Sequence, residues 1–323
     1  MNLEGIFYTE RKQRSTFMRR NFTALLFSGL VLILYYAFQY IVILCAGYFT
    51  ELFPATVRGY LLFQMLLYAC PILLAALCGK LMFLHLYKVY PAEKRACGLP
   101  RKPLLYIFGS VGVGYIVSLT INILFGDLLE RFDTGSGIPA GAESDPVAIV
   151  LSYVYIAVLP AILEELLFRG TILKALLPYG RRGALIISSL LFGALHIDPG
   201  TIVFASVFGY LLGLAYEYTG SIKLTVLIHF LNNALSVTMT FLGDSEGGSA
   251  VLVPLVWGLL ILGIIFIVYY SRRGLGAPAV KLGSDCAPKY TLNAAKYCLF
   301  AAVNPAILIL LCFVGWQISL FLR

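Results

Sequence analysis

The chain has 323 residues, of which 60% are hydrophobic and only 12% are charged. Soluble domains carry about 25% charged residues, so this composition excludes an ordinary water-soluble fold and indicates a protein embedded in a lipid bilayer. The net charge of +8 does not indicate a nucleic-acid partner, because the basic residues cluster between apolar segments in the way that sets membrane topology.

The apolar segments predict an all-α fold, a polytopic transmembrane helical bundle. A helix needs about 20 apolar residues to cross the hydrocarbon core. We predict about nine spans, with eight as the alternative because the fifth and sixth segments are short. The predicted spans cover residues 22–48, 59–79, 104–126, 147–168, 184–197, 201–217, 222–242, 250–270 and 298–321.

Charge placement predicts the orientation of these spans. If the chain alternates across nine spans, most of its 24 Lys and Arg residues fall on one side, in clusters near residues 11–20, 88–102, 174–182 and 272–296. Loops rich in Lys and Arg stay in the cytoplasm. We therefore expect a cytoplasmic N-terminus and an external C-terminus.

The same pattern divides the chain into six regions within one membrane domain. Gly209 and Gly213 form a GxxxG pattern on the sixth span, which predicts a close helix contact. The regions are a basic cytoplasmic tail (1–21), spans one to three with an external loop (22–145), a core of spans four to seven (146–243), span eight (244–271), a cytoplasmic linker (272–297) and span nine (298–323).

Two adjacent glutamates in the fourth span, Glu164 and Glu165, are followed by Arg169. A charged side chain at the bilayer centre costs about 2.5–3.5 kcal/mol on insertion scales, so such residues usually serve a function. Glu165 and Arg169 are four residues apart, which suits an ion pair on one helix face. Glu164 lies about 100° around the helix from Glu165 and is therefore free to face a separate cavity.

Further polar residues follow on the next helices. Glu164 and His196 are equally distant from the turn at 178–183, about 20 Å along their helices, so an antiparallel hairpin brings them to matching depth. His229 and Asn233 share one face of the seventh span. Glu164 and His196 could activate a water molecule, while His229 and Asn233 stabilise an oxyanion. Alternatively, Glu164, His196 and His229 could bind zinc. The residues alone leave both mechanisms open.

Three motifs resemble those of a known family, the CAAX-protease and bacteriocin-processing (Abi) intramembrane endopeptidases. They are Glu164-Glu165-x-x-x-Arg169, Phe192-x-x-x-His196 and His229-x-x-x-Asn233, and the resemblance covers residues 160–235. It implies a membrane-embedded peptidase in which Glu164 is the activating base, His196 its partner, and His229 with Asn233 the oxyanion site. Glu165 and Arg169 would support them. We favour the glutamate mechanism, which requires no cofactor, over a zinc enzyme.

The resemblance also predicts partners and location. We expect a membrane-associated peptide or protein substrate, contact with the lipid bilayer and no nucleic acid, in a multi-pass protein of a bacterial plasma membrane. Two other classes remain open. One is a non-catalytic scaffold or immunity protein of the same fold, and the other is a proton-coupled transporter that uses Glu164 as its carrier group.

Overall fold

The fold is known from a computed structural model of the chain. The described residues are 3–49, 52–89, 92–94, 100, 102–129, 137–196, 198–243, 245, 247–274, 280–282 and 292–321.

Ten helices form the described part of the molecule. They are α1 (Leu3–Phe49), α2 (Val57–Val89), α3 (Pro103–Leu129), α4 (Pro146–Tyr179, with irregular turns described below), α5 (Arg181–Gly193), α6 (Pro199–Thr219), α7 (Ile222–Gly243), α8 (Gly248–Arg273), α9 (Ala294–Ala302) and α10 (Pro305–Phe321). The all-α prediction is confirmed, apart from one short antiparallel ribbon that pairs β1 (Ala92–Lys94) with β2 (Val280–Leu282).

The predicted count of nine spans is not confirmed. Among the described residues, seven helices are long and apolar enough to cross a membrane, or eight if the bent pair α9 and α10 forms one span. The predicted fifth span, 184–197, accounts for one of the missing spans, and the bent last span accounts for the other when seven are counted. Helix α5 of the predicted fifth span has 13 residues, about 20 Å of length at 1.5 Å per residue, which is too short for a hydrocarbon core of about 30 Å.

The short helix α5 pairs with α6. Arg181 at the start of α5 forms an ion pair with Glu217 near the end of α6. The two helices therefore make a hairpin that begins and ends at one level. The predicted GxxxG contact is present in this hairpin, because a Cβ on Gly209 would lie 2.8 Å from the Phe192 ring and one on Gly213 would lie 2.9 Å from Leu185.

The last predicted span, 298–321, is bent by 70° between α9 and α10. Pro305 begins α10, and a proline has no N–H to donate to the preceding turn, so the helix breaks there. The side chain of Asn304 accepts from the N–H of Ala306 and caps the new helix. The buried Tyr297 of α9 packs on α5 and donates its hydroxyl hydrogen to the carbonyl of Leu176.

Contacts between helices define two ends of the bundle. At the first, which we call the basic end, the ring of Phe17 lies 5.5 Å from that of Tyr179 at the end of α4, next to Arg181. At the opposite end, which we call the loop end, Arg58 of α2 binds Asp145, the residue that caps α4. This hydrogen-bonded ion pair lowers the pKa of the Asp145 carboxyl, and it holds the segment before α4 against the start of α2.

Candidate active site

The helix that carries the two glutamates is irregular on both sides of them. Two π-helical turns, Val154–Val158 and Phe168–Leu173, flank the regular segment Leu159–Leu167. Such turns occur often at functional sites. Because Pro160 has no N–H, the carbonyl of Ile156 lacks its ordinary helical donor. The Asn233 side chain replaces that donor, with its Nδ2 3.2 Å from the Ile156 oxygen.

The ion pair predicted between Glu165 and Arg169 is present and fully buried. Arg169 Nη1 donates to Glu165 Oε1 at 2.7 Å, and the two side chains are 1% and 0% exposed. Nη2 of the same guanidinium donates to the carbonyl of Gly209 at 2.7 Å, and the group lies 4.8 Å from the centre of the Phe192 ring. Because Gly209 has no side chain, the Phe192 ring and the guanidinium can both reach α6.

Glu165 also holds His229, a role that the sequence did not reveal. His229 Nδ1 lies 3.1 Å from Glu165 Oε1. A carboxylate can only accept a hydrogen bond, so Nδ1 carries the hydrogen. The other ring nitrogen, Nε2, is then directed to Glu164 and lies 3.9 Å from its Oε2. His229 is therefore hydrogen-bonded to Glu165 and faces Glu164, and Glu165 both pairs with Arg169 and orients His229.

Glu164 is held by a tyrosine from a distant helix. Its side chain is almost fully buried, and Tyr68 of α2 donates a hydrogen bond of 2.7 Å to its Oε1. The other oxygen, Oε2, faces His229. Sequence reasoning missed Tyr68 because it lies 96 residues from Glu164 and is one of 21 tyrosines, so no local pattern singled it out.

One cavity of about 380 Å³ brings the four candidate catalytic residues together. Glu164, His196, His229 and Asn233 all line it. This arrangement agrees with the matching depth expected for Glu164 and His196. Glu165 and Arg169 do not line the cavity and lie behind it.

His196 is oriented by the turn that follows α5. Its Nδ1 lies 3.2 Å from the carbonyl of Phe192, and because a carbonyl accepts, Nδ1 donates the hydrogen. Nε2 is then the polar atom left for the cavity. The ring of Phe192 packs with its centre 5.8 Å from both His196 and His229, so one aromatic side chain sets the spacing of the two histidines.

Asn233 retains a donor for the cavity. One hydrogen of its Nδ2 is used by Ile156, and its Oδ1 accepts from Asn232 Nδ2 at 3.2 Å. An amide nitrogen carries two hydrogens, so one remains for a group bound in the cavity. The site thus combines a carboxylate and an imidazole that can accept a proton with an amide that can donate to a developing negative charge.

The residues of the zinc hypothesis do not form a closed ligand set. Among the described residues, no three His, Cys, Asp or Glu side chains converge in a way that could hold a metal ion. His229 Nδ1 is hydrogen-bonded to Glu165, which leaves Nε2 toward the cavity, 3.9 Å from Glu164 Oε2. The steps derived below therefore use the side chains alone, and zinc stays a prediction for experiment.

Comparison with known proteins gives one match. Residues 146–235 match the family model described as Type II CAAX prenyl endopeptidase Rce1-like. The match includes all three motifs and confirms the family expected from them for this segment. No curated protein and no solved structure matches the chain.

Proposed function

We propose that this chain, whose core 146–235 belongs to the CAAX-protease family, hydrolyses a peptide bond of a membrane-associated peptide or protein by water activated at Glu164. The observation that carries the proposal is the single cavity lined by Glu164, His196, His229 and Asn233. The matched family supports a membrane peptidase. The seven or eight membrane-length helices among the described residues support its location in the bilayer.

In the proposed mechanism, Glu164 and His196 activate the water molecule. Tyr68 holds Oε1 of Glu164, which leaves Oε2 to accept a proton from a water molecule in the cavity. His196 offers Nε2 as a second acceptor that orients the same water, because its Nδ1 hydrogen is already donated to Phe192. The resulting hydroxide adds to the carbonyl carbon of the scissile bond, and the proton held by Glu164 then passes to the leaving amine.

Asn233 and His229 stabilise the oxyanion of the tetrahedral intermediate by hydrogen bonds. The free Nδ2 hydrogen of Asn233 donates to it directly. His229 donates from Nε2 when both ring nitrogens carry hydrogens, while its Nδ1 hydrogen is held by Glu165. The arrangement parallels the role of a buried carboxylate behind a catalytic histidine. Donors fixed in this way act without reorganisation when charge develops.

The test is cleavage of a bilayer-anchored fluorogenic peptide by the purified full-length protein. We expect Glu164→Gln to lower kcat by about 10²–10⁴, the usual contribution of general base catalysis, and His196→Ala to lower it strongly. Glu143→Gln is the matched control, because this glutamate lies exposed in the segment before α4. Equal cleavage by all four proteins would refute the assignment and favour a scaffold.

Removal of metal ions with a chelator tests whether cleavage requires zinc. In the glutamate mechanism, dialysis against a strong zinc chelator leaves the cleavage rate unchanged. Loss of activity that zinc restores would show instead that Glu164, His196 and His229 act as metal ligands after rearrangement.

A further inference from the structure

The cavity lies entirely to one side of Glu164 along α4. Of the described α4 residues, those that line it are Tyr155, Ile156, Pro160 and Glu164 itself. All of them lie at Glu164 or closer to Pro146, where the helix starts at the loop end. None lies between Glu164 and Tyr179, where the helix ends at the basic end.

The neighbouring helices show the same bias. On and after α5, which starts at the basic end, the lining residues begin at Phe192, near the far end of the helix. On α6, which ends at the basic end, they lie between Thr201 and Phe208, in the first half of the helix. On α7, the lining residues His229 and Asn233 lie about two and three helical turns after the start at Ile222.

Close packing seals the cavity toward the basic end. Directly behind Glu164 lie Glu165, Leu167, Phe168 and Arg169, each at most 1% exposed. The Phe168 ring packs edge-on against Phe192 at 4.9 Å between centres. This layer of aromatic rings and the buried ion pair lies between the cavity and the basic end.

The cavity reaches the surface at the loop end. Gly137, in the segment before α4, is exposed and lines the cavity. The following residues are attached to α2, through the ion pair of Arg58 with Asp145 and through Ala142, which is fully buried in one cluster with Leu61. Gly137 therefore lies at the surface end of the cavity that leads to Glu164.

The two ends differ in charge. The basic end carries Arg181 and Arg182 at the start of α5 and Arg272 and Arg273 at the end of α8. At the loop end, the segment 137–145 contributes Glu143 and Asp145 and no Lys or Arg, and Arg58 of α2 is paired with Asp145. By the positive-inside rule the basic end faces the cytoplasm and the loop end faces outward.

We infer that the substrate reaches Glu164 from the non-cytoplasmic side. The inference rests on the proposed peptidase function and narrows its substrate class. The substrate is a peptide segment exposed at the outer surface or in the outer leaflet, such as part of an exported or externally anchored chain. A carboxyl-terminal tail exposed in the cytoplasm would meet the sealed layer instead of the cavity. Aromatic walls from Tyr155, Phe204 and Phe208 suit apolar side chains beside the cleaved bond.

Cysteine labelling tests the side of access independently of catalysis. Thr201→Cys places a thiol on the cavity wall, and Arg182→Cys places one at the exposed basic end, each in full-length protein with its native cysteines replaced by alanine. In sealed right-side-out vesicles, a membrane-impermeant maleimide should modify position 201 at least tenfold faster than position 182. Permeabilisation should make position 182 reactive. The reverse order in sealed vesicles would overturn the inference.

A second experiment links access to cleavage. An impermeant fluorogenic peptide is added to right-side-out vesicles, to inverted vesicles and to protein in detergent. We expect cleavage at least tenfold faster in right-side-out than in inverted vesicles, with activity in detergent. Cleavage in detergent and only in inverted vesicles would overturn the side of access while leaving the peptidase intact. Cleavage in none of them would refute the proposed function, and the labelling would still decide the side.

Discussion

Removing the hydroxyl of Tyr68 is the sharpest test of how the general base is positioned. Tyr68→Phe deletes one oxygen atom and keeps the ring that packs in α2. The lost contact is the hydrogen bond of 2.7 Å to Oε1 of Glu164. Glu164 then keeps its carboxylate but loses the donor that fixes which oxygen faces the water.

The magnitude follows from the type of contact. A hydrogen bond to a charged group contributes about 1.5–3 kcal/mol, and about 1.4 kcal/mol corresponds to a tenfold change in rate. Only the part that is stronger in the transition state slows the reaction. We therefore expect kcat to fall between about tenfold and a hundredfold, with KM nearly unchanged, because Tyr68 orients the base and does not hold the peptide.

The assay is steady-state cleavage of the anchored peptide by Tyr68→Phe and Tyr155→Phe. Tyr155 lines the same cavity, and the structure describes no hydrogen bond from its hydroxyl to Glu164, so Tyr155→Phe should stay within about twofold of wild type. Thermal unfolding in detergent checks that both variants fold. If folded Tyr68→Phe matches Tyr155→Phe in kcat, Tyr68 does not position the base and the reasoning from this hydrogen bond is wrong.

Two further predictions concern stability. Arg169→Leu leaves Glu165 buried without its cation, which should lower the free energy of unfolding by about 3–5 kcal/mol, measured by denaturant unfolding in detergent. An unchanged value would contradict the reasoning that Arg169 offsets the buried charge of Glu165. Gly209→Ala places a Cβ 2.8 Å from the Phe192 ring and should cost about 1–3 kcal/mol. Gly258→Ala, where a Cβ meets open space, should unfold like wild type, and equal stability of the two glycine variants would contradict the close contact at Gly209.

The spacing of residues along the sequence was enough to predict most of the geometry within the motifs. The pair Glu165 and Arg169 followed from an i,i+4 relation, and the shared depth of Glu164 and His196 followed from their equal distances to one turn. These relations depend on helix geometry alone, so a sequence with clear helical segments is enough to predict them.

Contacts between distant helices were not predictable in this way. The hydrogen bond of Tyr68 to Glu164 depends on how α2 packs against α4, and that of His229 to Glu165 depends on how α7 packs against α4. The spacing of residues within one segment reveals neither contact. The close approach of Gly193 to α6, where a Cβ would come within 2.6 Å of the Ile202 carbonyl, was likewise not predictable. The shortness of α5 did have a local signal, because Asp198 caps α6 and Pro199 begins it. The bend before Pro305 did have a local signal, the proline itself.

The carbonyl of Ile156, which takes its hydrogen from Asn233, also bears on how the protein is assembled during synthesis. The ribosome completes α4 well before α7, so α4 first meets the bilayer with a carbonyl that Pro160 leaves without its helical donor. An unsatisfied backbone group in hydrocarbon costs several kcal/mol, and the buried carboxylates add to that cost. Lateral docking of α7 brings Asn233 and His229 to these groups together. The two residues that complete the cavity, Asn233 and His229, are thus the same ones that lower the cost of the polar groups of α4 in lipid. Docking of α7 therefore stabilises α4 in the bilayer and completes the site in one step.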